Sequence, residues 1–169
     1  MTSARHREDL LVTRAKRRGR DTRDYLAKLR AMPDALLAAY VDTRYGVRLP
    51  QGECVVRLFD DIPHEINVML EAEGVGSWAI ITAMNPYSQR VPASENARRC
   101  ELLAGLLTLQ GVKTCPAVGK GSSGDWEERS LLVLAVSYDM ARSLGTAFQQ
   151  NAVLYGERDG EVELVFCDR

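Results

Sequence analysis

The apolar positions of this chain switch between two periods, and the switches lay out its elements. From Asp21, Leu26 and Leu29 fall at helical spacing. Pro33 suits the first turn of a second helix through Leu36, Leu37 and Tyr40, and Gly46 closes that region. Cys54–Phe59 reads as a strand, with β-branched Val55 and Val56. Asp61 offers an N-cap ahead of Pro63. Ile66, Met69 and Leu70 then define a short amphipathic helix that Gly74 ends. Trp78–Ala83 is a buried strand, followed by the polar loop Met84–Val91. Pro92 and Ser94 open a long helix whose apolar stripe runs Cys100, Leu103, Leu106 and Leu107 before Gly111. Thr114–Val118 is a strand, and Gly119–Trp126 is a glycine- and serine-rich connection. Ser130–Val136 is the most apolar strand and is expected at the sheet centre. Ser137 caps a helix holding Met140, Ala141, Leu144 and Phe148. Asn151–Tyr155 and Val162–Phe166 then flank Asp159–Gly160, a hairpin turn signal.

From Trp78 onward the order is β-α-β-β-α-β-β. This predicts an α/β (α+β) fold: a single-layer, mixed or antiparallel sheet with helices packed on it. Its core is a ferredoxin-like split β-α-β unit with one extra strand, preceded by an N-terminal β-α unit and helices. In such a sheet the first and second strands of the core run parallel with the third between them. The loops Met84–Val91, Gly119–Arg129 and Gln149–Asn151 then meet at one end. They hold most of the polar residues that no cap or turn explains, and loops placed by a rigid sheet are where function concentrates.

Composition narrows the class. The chain has 169 residues, 46% hydrophobic and 27% charged, ordinary globular usage. Its longest apolar run, Leu131–Val136, is far short of the ~20 residues of a membrane span. The arginine-rich N-terminus has no apolar segment of the secretory kind, and its acids argue against a mitochondrial presequence. Cys54, Cys100, Cys115 and Cys167 lie in apolar segments with no metal-ligand spacing, which points to free thiols in a reducing compartment, the cytoplasm. Charge is uneven. Met1–Arg30 carries ten Lys/Arg against four Asp/Glu, whereas the rest carries twelve against nineteen. We therefore divide the chain into a basic, partly disordered or helical arm over residues 1–31 and a single α/β domain over residues 32–169. Such an arm can follow nucleic-acid phosphates or an acidic partner, although no aromatic platform is interleaved with its arginines.

The candidate chemistry sits at the predicted loop end. Thr82, Asn85 and Ser88 follow a buried strand, and Asn96 and Arg99 lie in the first turns of the next helix, where unpaired N–H groups favour anions. Asn96 precedes Cys100 by four residues, so it points inward and needs partners. The backbone of the Asn85–Pro86 turn is the ordinary one. Lys120 in the glycine-rich connection can meet an anion. Trp126 beside Glu127–Glu128 can flank a ligand or anchor the connection, and Gln150 and Asn151 can satisfy the preceding helix end. Three tempting motifs fail. The Gly119–Gly124 stretch joins two strands and lacks the phosphate-loop spacing. Gly74–Gly76 leads from helix into strand, the reverse of a dinucleotide fingerprint. Asp60, Asp61, His64 and Glu65 have metal-ligating types but are better read as a helix start, so no metal and no cofactor is called.

Several of these strings resemble a known family. Trp78–Pro86, spelling Trp-Ala-Ile-Ile-Thr-Ala-Met-Asn-Pro, the Asn96–Arg99 pair, Trp126–Glu128 and Gln150–Gly156 are similar to the bacterial domain of unknown function 3293 (DUF3293) family. Ala39–Tyr45 is similar to that family's start. The resemblance implies a bacterial, cytoplasmic, single-domain protein, and it brings no activity or catalytic residue with it.

Three functional readings follow. The first is a ligand-binding or regulatory domain holding a small polar or anionic molecule at the loop end, where amides and hydroxyls outnumber acid–base groups. The second is a hydrolase or transferase with Glu127 or Glu128 as general base and Arg99 facing anionic charge. The third is an interaction module using the basic arm, or a homodimer through an edge strand. The arm reading predicts salt-sensitive binding to duplex DNA in an electrophoretic shift assay, lost when residues 1–31 are removed. Affinity unchanged by the truncation overturns it.

Overall fold

A computed structural model describes residues 22–169. The first part of the arm, residues 1–21, lies outside the described residues. The described chain falls into two compact units, one ending at Val41 and one spanning Asp42–Arg169. The first holds helix α1 (Thr22–Ala31) and most of α2 (Asp34–Asp42). Pro33 opens α2 as expected: its carbonyl accepts the amides of Leu36 and Leu37, and its own missing N–H costs nothing at a helix start.

The second unit runs β1 (Arg44–Leu49), β2 (Gly52–Val56), α3 (His64–Glu73), β3 (Ser77–Thr82), α4 (Ala93–Leu109), β4 (Thr114–Lys120), β5 (Glu127–Leu134), α5 (Tyr138–Ala147), β6 (Ala152–Glu157) and β7 (Glu163–Phe166). The fold is mixed α/β, with one seven-stranded sheet in the order β2-β1-β4-β5-β3-β6-β7. Every neighbouring pair is antiparallel. β5, from the most apolar stretch, takes the central place. It lies between β3 and β4 and antiparallel to both, so those two strands point the same way.

Beyond β2 the chain crosses back to the residues that enter β7. Phe59 N–H donates to Val162 O at 3.0 Å, Val162 N–H to Asp60 O at 2.8 Å, and Ile62 N–H to Gly160 O at 3.1 Å. These bonds join the two ends of the sheet and curl it. They also correct an expectation. Asp61 does not cap α3; it pairs as an isolated bridge with Glu161, and Pro63 stands at the cap position without a side-chain bond. The strand ends at Val56, and Phe59, read as strand, lies in the turn beyond it with φ 71.

Strand β1 was not anticipated. Gly46, read as the end of the helical region, sits inside it, paired with Val55 and Val118. The cue was alternation: Val47 and Leu49 are buried while Arg44, Gly46 and Arg48 are exposed.

Two apolar layers hold the sheet. On one face Leu103 and Leu107 of α4 and Ala141 and Leu144 of α5 pack on Ala79, Ile81, Val133, Val153 and Val165. Leu106 and Met140, placed by periodicity on those apolar stripes, are exposed, so the buried stripe of each helix is narrower than its sequence suggests. The opposite face carries Trp78, Ile80, Leu132, Leu134 and Leu154 by strand alternation, and α3 buries Ile66, Met69 and Leu70. The caps at Ser137 and Gly74 behave as read. Ser137 Oγ accepts the Met140 amide at 3.1 Å, and Gly74 adopts φ 68 to end α3. No helix among the described residues is long and apolar enough to cross a membrane. All four cysteines are free, with Cys54 and Cys115 buried.

Trp78 is fully buried and its indole covers Gly156, its partner on β6. A Cβ at residue 156 would fall 2.6 Å from ring atoms Cε2 and Cζ2. The ring cannot retreat from a close-packed layer. Gly156→Ala should therefore destabilise by about 1–3 kcal/mol in urea unfolding. An unchanged midpoint contradicts this packing.

Candidate functional site

The turn after β3 is held in a conformation that few side chains adopt. Asn85, Tyr87 and Ser88 all have positive φ (48, 51 and 59°), as does Gln149 (57°) across from them. Each non-glycine residue there costs of order 1 kcal/mol, and asparagine tolerates the region best. The turn is kept there by a dense set of hydrogen bonds. Met84 N–H donates to Thr82 Oγ1 at 3.0 Å, and the Thr82 hydroxyl donates to Arg129 O at 2.8 Å, which pins the turn to β5.

Asn85 and Asn96 form the centre. Asn96 Oδ1 accepts the Asn85 amide N–H at 2.9 Å, and Asn96 Nδ2 donates to Asn85 Oδ1 at 2.9 Å. Both residues are 7% exposed. The inward Asn96 thus has the turn as its partner, as its place on the α4 stripe required. The remaining capacity of Asn85 is also used. Its Oδ1 accepts from Val91 N–H at 3.4 Å, and its Nδ2 donates to Glu128 Oε1 at 3.0 Å.

The expected convergence of the three loops is present. Tyr87 N–H donates to Gln149 O at 2.6 Å, Gln150 Nε2 to Met84 O at 3.0 Å, and Asn151 Nδ2 to Ser88 Oγ at 3.0 Å. From the third loop, Asp125 O accepts Arg90 Nη2 at 2.6 Å, and the same guanidinium lies 5.0 Å from the centre of the Trp126 ring. Arg99 is a brace. Its Nε donates to Ala83 O at 2.6 Å, its Nη2 to Phe148 O at 2.5 Å, and its Nη1 to Gln149 Oε1 at 3.3 Å. One side chain of α4 thereby fixes both flanking loops.

Strand register separates the two candidate carboxylates. Glu128 pairs across to Gly119, and Glu127 to Lys120. Neighbouring residues of a strand face opposite ways, so Glu128 shares a face with Gly119 while Glu127 and Lys120 share the other. Lys120 Nζ lies 3.5 Å from Glu127, both well exposed, and joins none of the bonds described above. Thr82, Asn85, Ser88, Asn96, Arg99, Gln150 and Asn151 therefore form one network. Trp126 and Glu128 border it, and Lys120 stands apart.

Two neighbours were absent from the sequence reading of the site. Tyr45 of β1 pairs with Gly119, and an added Cβ on Gly119 would meet Tyr45 Cε1 at 2.9 Å. The Tyr45 ring thus covers Gly119 on the face that Glu128 occupies. Cys100 comes one turn after Asn96, close enough to Glu128 and Arg129 to feel their charges. Burial pushes its thiol above the usual range, which makes it a poor nucleophile. Arg90 belongs to the polar loop expected at the site, but the signal for its stack on Trp126 is not local in sequence.

Burial also raises the Glu128 pKa above the ordinary carboxylate value, and hydrogen bonds from Asn85 and Trp126 pull part of the way back. The result is a carboxylate held by neutral donors at the edge of a rigid polar network. Among the described residues no group of three or more His, Cys, Asp and Glu could hold a metal ion.

An antiparallel α/β domain with a braced polar loop end is the class of protein these features define. Residues 81–153 match the family described as "Protein of unknown function (DUF3293)". The matched segment takes in the network from Thr82 to Asn151 and leaves Tyr45 outside. No curated protein and no solved structure matches the chain.

A raised folded-state pKa means that the folded protein holds the Glu128 proton more tightly than the unfolded chain does. The stability this contributes is present at low pH and is lost as pH rises through the folded pKa. Glu128→Gln keeps an oxygen for Asn85 and removes the charge. It should raise the urea midpoint at neutral pH, with the gain shrinking as pH falls through the carboxylate range. A lower midpoint at neutral pH contradicts the burial argument.

Proposed function

We propose that this protein binds a small polar molecule at the end of its sheet, with Glu128 as the principal contact and Asn85 and Trp126 holding it. The observation that supports this is the uneven satisfaction of the site. Asn85, Asn96, Arg99 and Gln150 spend their polar atoms on one another and on loop carbonyls. Glu128 alone combines partial burial, a fixed oxygen and lone pairs left over after its bonds. The Asn85–Asn96 pair and Arg99 then act as scaffold, and the reading moves away from an anion, because Arg99 is already engaged.

A second reading is supported by the raised Glu128 pKa: a hydrolase or transferase in which Glu128 serves as general base. Free thiols fit a reducing, cytoplasmic setting, in keeping with a bacterial protein. A nucleic-acid or acidic partner for the arm and a homodimer through a sheet edge are further proposals.

The binding reading is tested with the full chain and a library of polar small molecules, followed by ligand-observed NMR. Binders should be lost in Glu128→Gln and kept in Lys120→Ala. Binders that persist in Glu128→Gln, or vanish equally in Lys120→Ala, overturn the assignment.

A further inference from the structure

No described residue balances the charge of Glu128. Among the described residues it has no ion pair; its bonds come from an amide and an indole, both neutral. The nearby cations are committed elsewhere. Arg99 braces two carbonyls and Gln149. Arg90 is held by Asp125 O and the Trp126 ring. Lys120 pairs with Glu127 on the other face, and Arg129, next along β5, also points to that face. A partly buried carboxylate without a counter-charge is costly unless something supplies one.

The surroundings suit a cation in particular. Tyr45, Gly119 and Glu128 are consecutive cross-strand partners on β1, β4 and β5, so they form one row on one face. Glycine in the middle of the row removes the side chain that would separate the aromatic ring from the carboxylate, and the Tyr45 ring leans over it. Trp126 already accepts one guanidinium over its face, that of Arg90. Aromatic faces beside a carboxylate attract ammonium and guanidinium groups through the ring quadrupole as well as the charge. A metal ion lacks the ligand set here.

We propose that the ligand of this site is a small organic cation whose charged nitrogen pairs with Glu128 and packs against Tyr45. This rests on the binding reading above and narrows it to one chemical class. The nitrogen would donate to the Glu128 lone pairs that Asn85 and Trp126 leave, so the carboxylate supplies the charge and the ring row supplies the selection for an aliphatic amine.

The chain's two tryptophans provide the test. In 15N-labelled full-length protein the Trp126 indole N–H reports the site, and the fully buried Trp78 serves as the internal control. Butylammonium chloride is titrated beside butan-1-ol and sodium chloride. Butylammonium should shift the Trp126 resonance saturably and leave Trp78 in place, while both controls are silent. Glu128→Gln should weaken the effect by about tenfold or more, the loss of one charge-assisted bond. Tyr45→Leu, with Trp78 unmoved as proof of fold, should weaken it several-fold. Equal shifts from butan-1-ol, or no saturable shift from butylammonium, overturn the cation assignment and leave the polar-ligand reading standing. A shift that survives in Glu128→Gln overturns both.

Discussion

The reciprocal amide pair between Asn85 and Asn96 is the interaction on which the loop end depends. It joins the turn after β3 to the first turns of α4 through two bonds of 2.9 Å. Without it, a left-handed residue and a buried helix amide would both lack partners. With it, the Asn85 Nδ2 group is aimed at Glu128. The pair therefore does two things at once. It stabilises a turn that sterics disfavour, and it fixes Glu128, a partly buried carboxylate with no ion pair among the described residues. A buried polar network of this kind is high-stakes, because each member satisfied makes the next more rigid and each one lost leaves a costly orphan.

The wider architecture serves the same end. Curling the sheet through Phe59–Ile62 and Gly160–Val162 joins its two ends. α4 and α5 cover one face, and Arg99 ties the helix N-terminal region of α4 to the carbonyls at Ala83 and Phe148. The loops are thus held by side chains from regular elements, which is how a polar surface can be specific without being mobile. The residues that look most like ligand binders in isolation are the ones the fold consumes.

That explains which parts were legible in the sequence. Hydrophobic period and caps located α3, α4, α5 and the strands from β3 onward, and the central place of β5 followed from its unbroken apolar run. Convergence of the three loops followed from strand order, and the inward pointing of Asn96 from its spacing to Cys100. Strand β1 was missed because Gly46 looked like a stop and because the outward residues of Arg44–Leu49 are charged or lack a side chain. The helical stripes were drawn too wide at Leu106 and Met140, since periodicity marks a face without saying how much of it the neighbouring layer covers. Arg99 was assigned to an anion because sequence shows a cation near a helix start and cannot show three acceptors arriving from Ala83, Phe148 and Gln149. Glu127 and Glu128 were inseparable until strand register put them on opposite faces.

The coupling between Asn85 and Asn96 is what holds this end of the sheet together. A double-mutant cycle with Asn85→Ala, Asn96→Ala and the combined variant, read by urea unfolding, measures it. If the pair is one unit, the second substitution costs far less than the first, with a coupling energy of about 0.5–3 kcal/mol. If the two losses simply add, the pair is not the keystone of this end, and the placement of Glu128 must have another cause.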